Sequence, residues 1–292
     1  MKKKKIFDGV ATALATPFSG GEVDFCALEK MIEYQIDGGV EAIVVCGTTG
    51  ESPALTDAET HRLIDRCAEL IDGRAKMIVG TGSLVFPRAM EQSRFAAAHG
   101  ADALLVITPF YNKGTKNGIA EYYKRIANAT DKPVIVYNVP TRTGVDITLD
   151  TLDKIYREEN IVGIKEASPN IDKALDISSN FPALAIYSGN DTMTLPIMSV
   201  GGSGVISVIS NALPKKCVEM CRAYRSGEQN KATSIQRSMT AIMHMMFEDT
   251  SPAPIKAALS MLGLCENELR LPLTPISRTL YEKIQHELSQ FI

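Results

Sequence analysis

The sequence predicts an α/β protein in which eight parallel strands close into a (β/α)8 barrel, followed by a C-terminal helical extension. Short apolar, β-branched runs recur eight times, and an amphipathic helical segment follows each of them. The alternation stops near residue 228, after which only helical patterns remain. Strands that alternate with helices indicate a parallel sheet, and a chain of 292 residues suits the closed (β/α)8, or TIM, barrel. The doubly wound open sheet is the alternative, but its Gly-x-Gly-x-x-Gly fingerprint does not follow the first strand.

The predicted strands are continuous apolar runs, which is typical of parallel strands that are covered on both faces. In order they are residues 10–14, 42–46, 77–79, 103–107, 134–137, 161–164, 184–187 and 205–208.

The predicted helices carry apolar residues at the helical period on one side. Some also have recognisable ends: Thr56 and Glu59 form a capping-box pattern, and Gly100 follows the third helix. The barrel helices are 25–37, 56–71, 86–99, 119–129, 149–158, 172–180, 192–200 and 214–225; the later ones are 229–247, 253–264 and 276–288. We therefore predict a catalytic barrel domain over residues 1–227 and a C-terminal helical region over 228–292.

Composition excludes several functional classes. The 31 basic and 34 acidic residues give a net charge of −3, which does not suit a nucleic-acid or membrane surface. The basic residues 2–5 are not followed by a clean apolar segment with a cleavage site, so a cytoplasmic protein is expected. Six scattered cysteines without a Cys-x-x-Cys pattern predict free thiols. Four isolated histidines offer neither a metal site nor a Ser-His-Asp triad, and no cofactor is expected.

Lys165 is the most informative residue. It follows the apolar run 161–164, so it is expected where a buried strand ends at the mouth of the barrel. Burial there favours the neutral amine, which can attack a carbonyl and form a Schiff base. The alternative is a structural ion pair with Glu166 or another nearby carboxylate.

Other polar residues follow neighbouring strands and would share that rim. The turn GTTGES at 47–52 offers the hydroxyls of Thr48 and Thr49 and several amides to a carboxylate, or it merely satisfies its own backbone. Tyr137 could relay a proton to Lys165, and Arg142 has a planar fork suited to a carboxylate. Each also has a simpler interpretation: Tyr137 as a tyrosine of the core and Arg142 as an arginine of the surface.

Three segments together resemble one family. They are GTTGES at 47–52, YNVPTRTG at 137–144 and GIKE at 163–166. The chain is similar, from about residue 9 to residue 275, to the 4-hydroxy-tetrahydrodipicolinate synthase (formerly dihydrodipicolinate synthase) family of the class I pyruvate aldolase superfamily. The resemblance implies a lyase of lysine and diaminopimelate biosynthesis that condenses pyruvate with L-aspartate 4-semialdehyde.

The resemblance also implies roles for particular residues. Lys165 would form the imine, and Tyr137, Thr48 and Tyr111 would relay protons, with Tyr111 supplied by a neighbouring subunit. The carboxylate of pyruvate would bind Thr48 and Thr49, and that of the semialdehyde would bind Arg142. Backbone and walls around pyruvate would come from Gly189 and Ile206. Family members are commonly homotetramers built as dimers of dimers. For this chain a dimer is the alternative to a tetramer.

This chain departs from the family pattern at residues that concern inhibition by lysine. Family members that lysine inhibits have polar residues at a dimer-interface cleft, where this chain has Leu84, Arg88 and Phe110, with Asp57 and Thr60 in place of histidines. The cation Arg88 would repel the ammonium of lysine. Weak or absent inhibition by lysine is therefore expected.

Two other functions compete with this one. A sister aldolase acting on N-acetylneuraminate or a 2-keto-3-deoxy sugar acid would share the lysine and the tyrosine, but Thr48, Thr49 and Arg142 favour the synthase. A non-catalytic keto-acid-binding protein would have no need of a buried amine.

Overall fold

In this computed structural model, which describes residues 3–292, eight parallel strands form a closed barrel. The strands in chain order are β1 (Gly9–Ala13), β2 (Phe18–Ser19), β3 (Glu22–Val23), β4 (Ala42–Val45), β5 (Lys76–Gly80), β6 (Ala103–Ile107), β7 (Val134–Asn138), β8 (Ile161–Glu166), β9 (Ala185–Ser188) and β10 (Gly204–Ser207). Strands β2 and β3 form a separate antiparallel hairpin. The other eight pair in sequence order, and β10 pairs with β1 to close the barrel.

Helices cover the outside of the barrel. The α-helices are α1 (Phe25–Asp37), α2 (Asp57–Ile71), α3 (Phe86–Ala98), α4 (Lys116–Ala127), α5 (Pro140–Thr143), α6 (Leu149–Tyr156), α7 (Ile171–Asn180), α8 (Thr194–Ser199), α9 (Pro214–Arg225), α10 (Gln229–Met245), α11 (Ala253–Met261) and α12 (Arg278–Leu288). The capping box of Thr56 and Glu59 begins α2 as predicted.

The interior of the barrel is filled by small and β-branched side chains. Ala11, Ala42 and Ala103 are examples, each without exposed surface. At the amino end of the strands, the ring of Phe7 stacks on that of Tyr187 at 4.2 Å between centroids. The hydroxyl of Tyr187 also donates to the carbonyl oxygen of Phe7 at 3.0 Å, so the two residues pack firmly against each other there.

The first and last strands meet in a seam that only glycine can occupy. Gly204 has φ +148°, and a Cβ there would lie 1.9 Å from the carbonyl oxygen of Gly9. Because real Cβ atoms do not approach that closely, β1 and β10 can pair only with glycine at this position.

The predicted barrel is confirmed, with local differences. The hairpin β2–β3 and the short helix α5 lie in segments that were expected to be loops. Strand β8 runs through Glu166, so Lys165 is within the strand and not after it. The predicted helix 192–200 is divided into a 3-10 turn, Asp191–Met193, and α8.

The helices after residue 228 pack on the barrel. Met239 and Ile242 of α10 and Ile284 of α12 have no exposed surface and belong to the same apolar cluster as the barrel helices. The division into 1–227 and 228–292 stays a prediction. In the part of the chain that the structure describes, no helix combines the length and the apolar character needed to cross a membrane.

Candidate active site

Neighbouring strands bring Lys165 and Tyr137 together. Residues 137 of β7 and 165 of β8 are direct partners in the parallel register, so their side chains point to the same side of the sheet. The amine nitrogen of Lys165 lies 4.3 Å from the centroid of the Tyr137 ring. Lys165 is 5% exposed and Tyr137 is 7% exposed. The predicted pair is thus present at the carboxyl end of the barrel.

The amine of Lys165 has no bonded partner among residues 3–292, either by hydrogen bond or by ion pair. Glu166, which could have paired with it, is engaged elsewhere. Its oxygens accept from the side-chain amide of Asn138 at 3.1 and 3.0 Å and from the backbone N–H of Ser168 at 2.7 Å, and Lys173 lies 3.5 Å away. The structural ion pair between Lys165 and Glu166 is therefore not formed, and the amine is free to react.

Gly189 allows the backbone to approach Lys165 closely. A Cβ at position 189 would lie 3.1 Å from Cε of Lys165 and 2.4 Å from Cβ of Ala167. Any larger residue would displace the lysine or the loop after β8. Ile206 is fully buried on β10 and belongs to the interior cluster of the barrel, and its role as a wall of the pyruvate site stays a prediction.

The turn after β4 presents unused hydrogen-bond donors. Within the turn, Gly50 N donates to the carbonyl of Gly47 and Glu51 N donates to that of Thr48, both at 3.1 Å. The N–H groups and hydroxyls of Thr48 and Thr49, in contrast, donate to no atom of residues 3–292. The turn thus satisfies only part of its backbone, and its free donors suit an anionic oxygen.

Two cavities meet at Tyr137. The smaller, about 260 Å³, is lined by Thr48, Cys46 and Tyr137. The larger, about 650 Å³, is lined by Tyr137, Gly189 and Arg142 together with residues 247–251. Lys165 does not line either cavity itself, although its neighbours Tyr137 and Gly189 do. Both cavities are therefore bordered by residues that lie against Lys165.

Arg142 stands at the mouth of the larger cavity. It belongs to α5, is exposed, and its guanidinium Nη2 donates to the carbonyl oxygen of Ser251 at 3.1 Å. The remaining N–H groups of the fork are available to a ligand, because this is its only hydrogen bond to residues 3–292.

Tyr111 stands apart from both cavities. It is 86% exposed, has φ +65° and lines neither cavity. It lies on the loop between β6 and α4 and is far more exposed than Lys165 and Tyr137.

The other possible nucleophile near the turn is unreactive. Cys46 lines the smaller cavity, but burial raises the pKa of its thiol to about 12. The thiolate, which is the nucleophilic form, is therefore scarce at neutral pH. Of these two side chains, Lys165 is therefore the better candidate nucleophile.

Two residues that support the site, Asn138 and Asp191, were not predicted from the sequence. Asn138 joins the ends of β7 and β8, because its amide donates to Glu166 and to Asp146 and its oxygen accepts from Ile147 N at 3.0 Å. Asp191 is buried and its Oδ2 accepts from the amides of Val208 and Ile209; burial raises the pKa of its carboxyl. Asn138 comes directly after the predicted strand 134–137, which was its sequence signal, whereas Asp191 comes three residues after the end of β9 and had no such signal.

The residues that were predicted to weaken lysine inhibition line the smaller cavity. They are Leu84, Arg88 and Phe110. The guanidinium of Arg88 donates from Nε to Asp57 at 2.8 Å and from Nη2 to the carbonyl oxygen of Leu55 at 3.3 Å. No cluster of three or more metal-ligating side chains occurs within residues 3–292.

Comparison with known proteins agrees with this geometry. Residues 6–291 match the model of the dihydrodipicolinate synthetase family. A 4-hydroxy-tetrahydrodipicolinate synthase of Alkaliphilus oremlandii is 44% identical, over 98% of this chain and 99% of its own. The crystal structure of dihydrodipicolinate synthase from Aquifex aeolicus superposes with a TM-score of 0.96 at 41% identity, covering 98% of each chain.

A further solved structure contains a ligand. The dihydrodipicolinate synthase of Acinetobacter baumannii, described as chloride-inhibited and complexed with pyruvate, has a TM-score of 0.94 and 35% identity, over 97% of this chain and 98% of its own. Full-length identity above 40% and the same barrel with the same C-terminal helices lead to one conclusion. The chain belongs to the dihydrodipicolinate synthetase family.

Proposed function

We propose that this chain condenses pyruvate with L-aspartate 4-semialdehyde through a Schiff base on Lys165, giving 4-hydroxy-tetrahydrodipicolinate. The activity is that of a 4-hydroxy-tetrahydrodipicolinate synthase, a lyase of lysine biosynthesis. The observation that carries the role of Lys165 is its amine, buried beside Tyr137 and without a bonded partner among residues 3–292.

The first half of the reaction is imine formation. The carboxylate of pyruvate accepts from the free donors of Thr48 and Thr49, which orients the keto carbon toward Lys165. The amine attacks that carbon, and the carbonyl oxygen leaves as water. The hydroxyl of Tyr137 carries protons to and from the reacting oxygen, together with Thr48 and the Tyr111 of a neighbouring subunit.

The second half uses the larger cavity. Loss of a methyl proton turns the imine into an enamine, whose carbon attacks the aldehyde of the semialdehyde. The amino group of that substrate then attacks the imine carbon and releases Lys165, closing the ring. Arg142 binds the carboxylate of the semialdehyde, while Gly189 and Ile206 form backbone and wall around pyruvate.

Arg142 separates this function from the sugar-acid aldolase. Its guanidinium fork lines the cavity that also contains Tyr137. A bidentate fork recognises a carboxylate, whereas a sugar acid would present hydroxyls at this place. Rates with the semialdehyde and with N-acetylneuraminate distinguish the two enzymes.

The proposed imine is tested by borohydride reduction in the presence of pyruvate, followed by mass spectrometry. Wild type should gain one reduced pyruvyl group, and Lys165→Ala should gain none. Lys173→Ala is the matched control, because Lys173 is also mostly buried and close to Glu166, yet pairs with carboxylates. If the wild type stayed unmodified, the proposed enzymatic activity would be refuted and a non-catalytic keto-acid-binding protein would be favoured.

The assembly we propose is a homotetramer made of two dimers. The exposed Tyr111, which does not reach its own site, supports contact with a second subunit.

The six cysteines are free thiols, which suits a cytoplasmic enzyme.

Weak or absent inhibition by lysine follows from the cation in the smaller cavity. Arg88 shares one carboxylate, Asp57, with Gln92, so no negative charge is left over there for an added ammonium. Initial rates at saturating pyruvate should change little up to millimolar lysine. Half-inhibition at sub-millimolar lysine would contradict this.

A further inference from the structure

A buried ion pair connects the pyruvate-binding turn to the C-terminal helical region. Oε1 of Glu51 accepts a hydrogen bond of 2.9 Å from the ammonium of Lys256, 205 residues further along the chain. Neither side chain has exposed surface. Glu51 belongs to the turn 47–52, and Lys256 lies on α11. Neither residue touches Lys165 or takes part in the proposed chemistry.

The same region also holds the second oxygen of Glu51. Oε2 accepts from the backbone N–H of Arg270 at 3.0 Å. The guanidinium of Arg270 then donates to the carbonyl oxygen of Ala54 at 3.0 Å and to Glu59 at the start of α2. Residues after the barrel thus hold the segment 51–59 at both ends.

An aromatic ring packs beneath both cations. The centroid of Phe18 lies 4.2 Å from the Lys256 nitrogen and 4.4 Å from the guanidinium carbon of Arg270. Phe18 is itself fully buried. Each charge therefore has a defined partner, which is the condition under which a buried pair keeps a single geometry.

The backbone of Glu51 shows what this arrangement does. Glu51 has φ +52° and ψ +33°, a left-handed conformation that residues other than glycine rarely adopt. From this conformation its N–H donates to the carbonyl oxygen of Thr48 at 3.1 Å. The position of Glu51 therefore fixes the peptide between Thr48 and Thr49, whose N–H is one of the free donors of the site.

We propose that Glu51 and Lys256 are positioning residues for the pyruvate carboxylate: their buried ion pair holds the turn in the conformation that aims the donors of Thr48 and Thr49 at the ligand. The C-terminal helices are then part of the pyruvate site, which the barrel alone does not complete. This inference rests on the proposed function, because it assigns its effect to pyruvate binding.

The test separates binding from chemistry. Lys256→Met keeps the length of the side chain and removes the charge; its KM for pyruvate should rise at least about tenfold, because small displacements of orienting groups have effects of this size. The turnover number at saturating pyruvate should fall less than about threefold, since Lys165 and Tyr137 are untouched. The adduct trapped by borohydride should still form at high pyruvate.

Two further variants make the result decisive. The double variant Glu51→Gln with Lys256→Met leaves no unpaired charge inside the protein, so it provides a folded protein if the single variant is unstable, and its KM for pyruvate should rise as well. Ile284→Ala opens a cavity in α12, which carries neither member of the ion pair, so it should lower the melting temperature without changing that KM.

Wild-type KM for pyruvate in either charge variant would overturn the inference, as would a rise no larger than that of Ile284→Ala. A wild type without a borohydride adduct would instead refute the proposed function. The two failures are therefore distinguishable.

Discussion

At the scale of single residues, Lys165 is set apart from other buried lysines by what surrounds it. Lys173 and Lys256 are also buried, but each pairs with a carboxylate, Lys173 with Asp146 and Glu166 and Lys256 with Glu51. Lys165 instead lies against the face of Tyr137. A buried amine without a carboxylate in direct contact is costly for stability, so it is expected mainly where chemistry requires it.

Arg142 gives a prediction at this scale. Arg142→Ala should raise the KM for the semialdehyde about 10- to 100-fold, because hydrogen bonds to charged groups contribute about 1.5–3 kcal/mol. Formation of the pyruvate adduct should be unchanged, since Arg142 is exposed at the mouth of the larger cavity. Steady-state kinetics with each substrate varied in turn measure both effects.

Arg142→Lys is the companion variant. It keeps the positive charge and loses the planar fork, so its KM for the semialdehyde should lie between those of wild type and alanine. Equal KM values for the semialdehyde in all three proteins would show that this residue does not bind the second substrate.

The sequence predicted most of these residues for a definite reason. Lys165 and Tyr137 each come at the end of an apolar run, and a parallel barrel gathers such ends at one rim. The ion pair of Glu51 with Lys256 could not be predicted in this way, because its members are 205 residues apart and the charge pattern around each is unremarkable. Only packing of the C-terminal helices on the barrel brings them together.

At the scale of elements, the differences from prediction also have physical causes. Strand β8 was expected to end before Lys165, because the apolar pattern ends there. In the structure, residues 165 and 166 still pair with both neighbouring strands, so backbone pairing continues past the apolar run. Helix α5 was missed since four residues are too few for a periodic pattern.

The contact between Arg270 and the start of α2 predicts that the stability of the protein depends on pH. Two hydrogen bonds from the Arg270 guanidinium, at 2.5 and 2.9 Å, lower the pKa of Glu59 from 4.5 to about 2, and the side chain of Glu59 is 16% exposed. The unfolded chain binds a proton to Glu59 more readily than the folded one. The contribution to stability is therefore complete above pH 4.5 and is lost as pH falls toward 2.

Glu59→Gln measures this contribution. At neutral pH the variant should unfold at a lower urea concentration than the wild type. The difference in unfolding free energy should be up to about 3 kcal/mol, because each pKa unit corresponds to about 1.4 kcal/mol. The difference should shrink as both proteins are titrated from pH 4.5 toward 2. Glu121→Gln, which removes an exposed i,i+4 pair with Arg125, is the control and should change stability by less than about 0.5 kcal/mol. A difference that is constant with pH would contradict the assignment.

At the scale of the whole molecule, the exposed Tyr111 predicts that two subunits share a site. Tyr111→Phe and Lys165→Ala should each be nearly inactive alone. In a mixed dimer, the subunit with an intact Lys165 would receive an intact Tyr111 from its partner, so one complete site would form. Random reassociation in a two-fold dimer should therefore restore about a quarter of wild-type activity.

The measurement is the specific activity after the two variants are dissociated together and reassembled. The same treatment of each variant alone is the control. If Tyr111 served its own subunit, every mixed dimer would contain two defective sites, and reassembly would restore nothing.

The glycine seam between β1 and β10 has a consequence for how the protein is made. The residues that pair across it, 9–12 and 204–207, are separated by most of the chain. During synthesis the cylinder thus stays open until residue 207 has left the ribosome, and until then β1 and the strand made most recently each have an unpaired edge. Nascent chains arrested before that point should be the ones that chaperones bind and proteases cut.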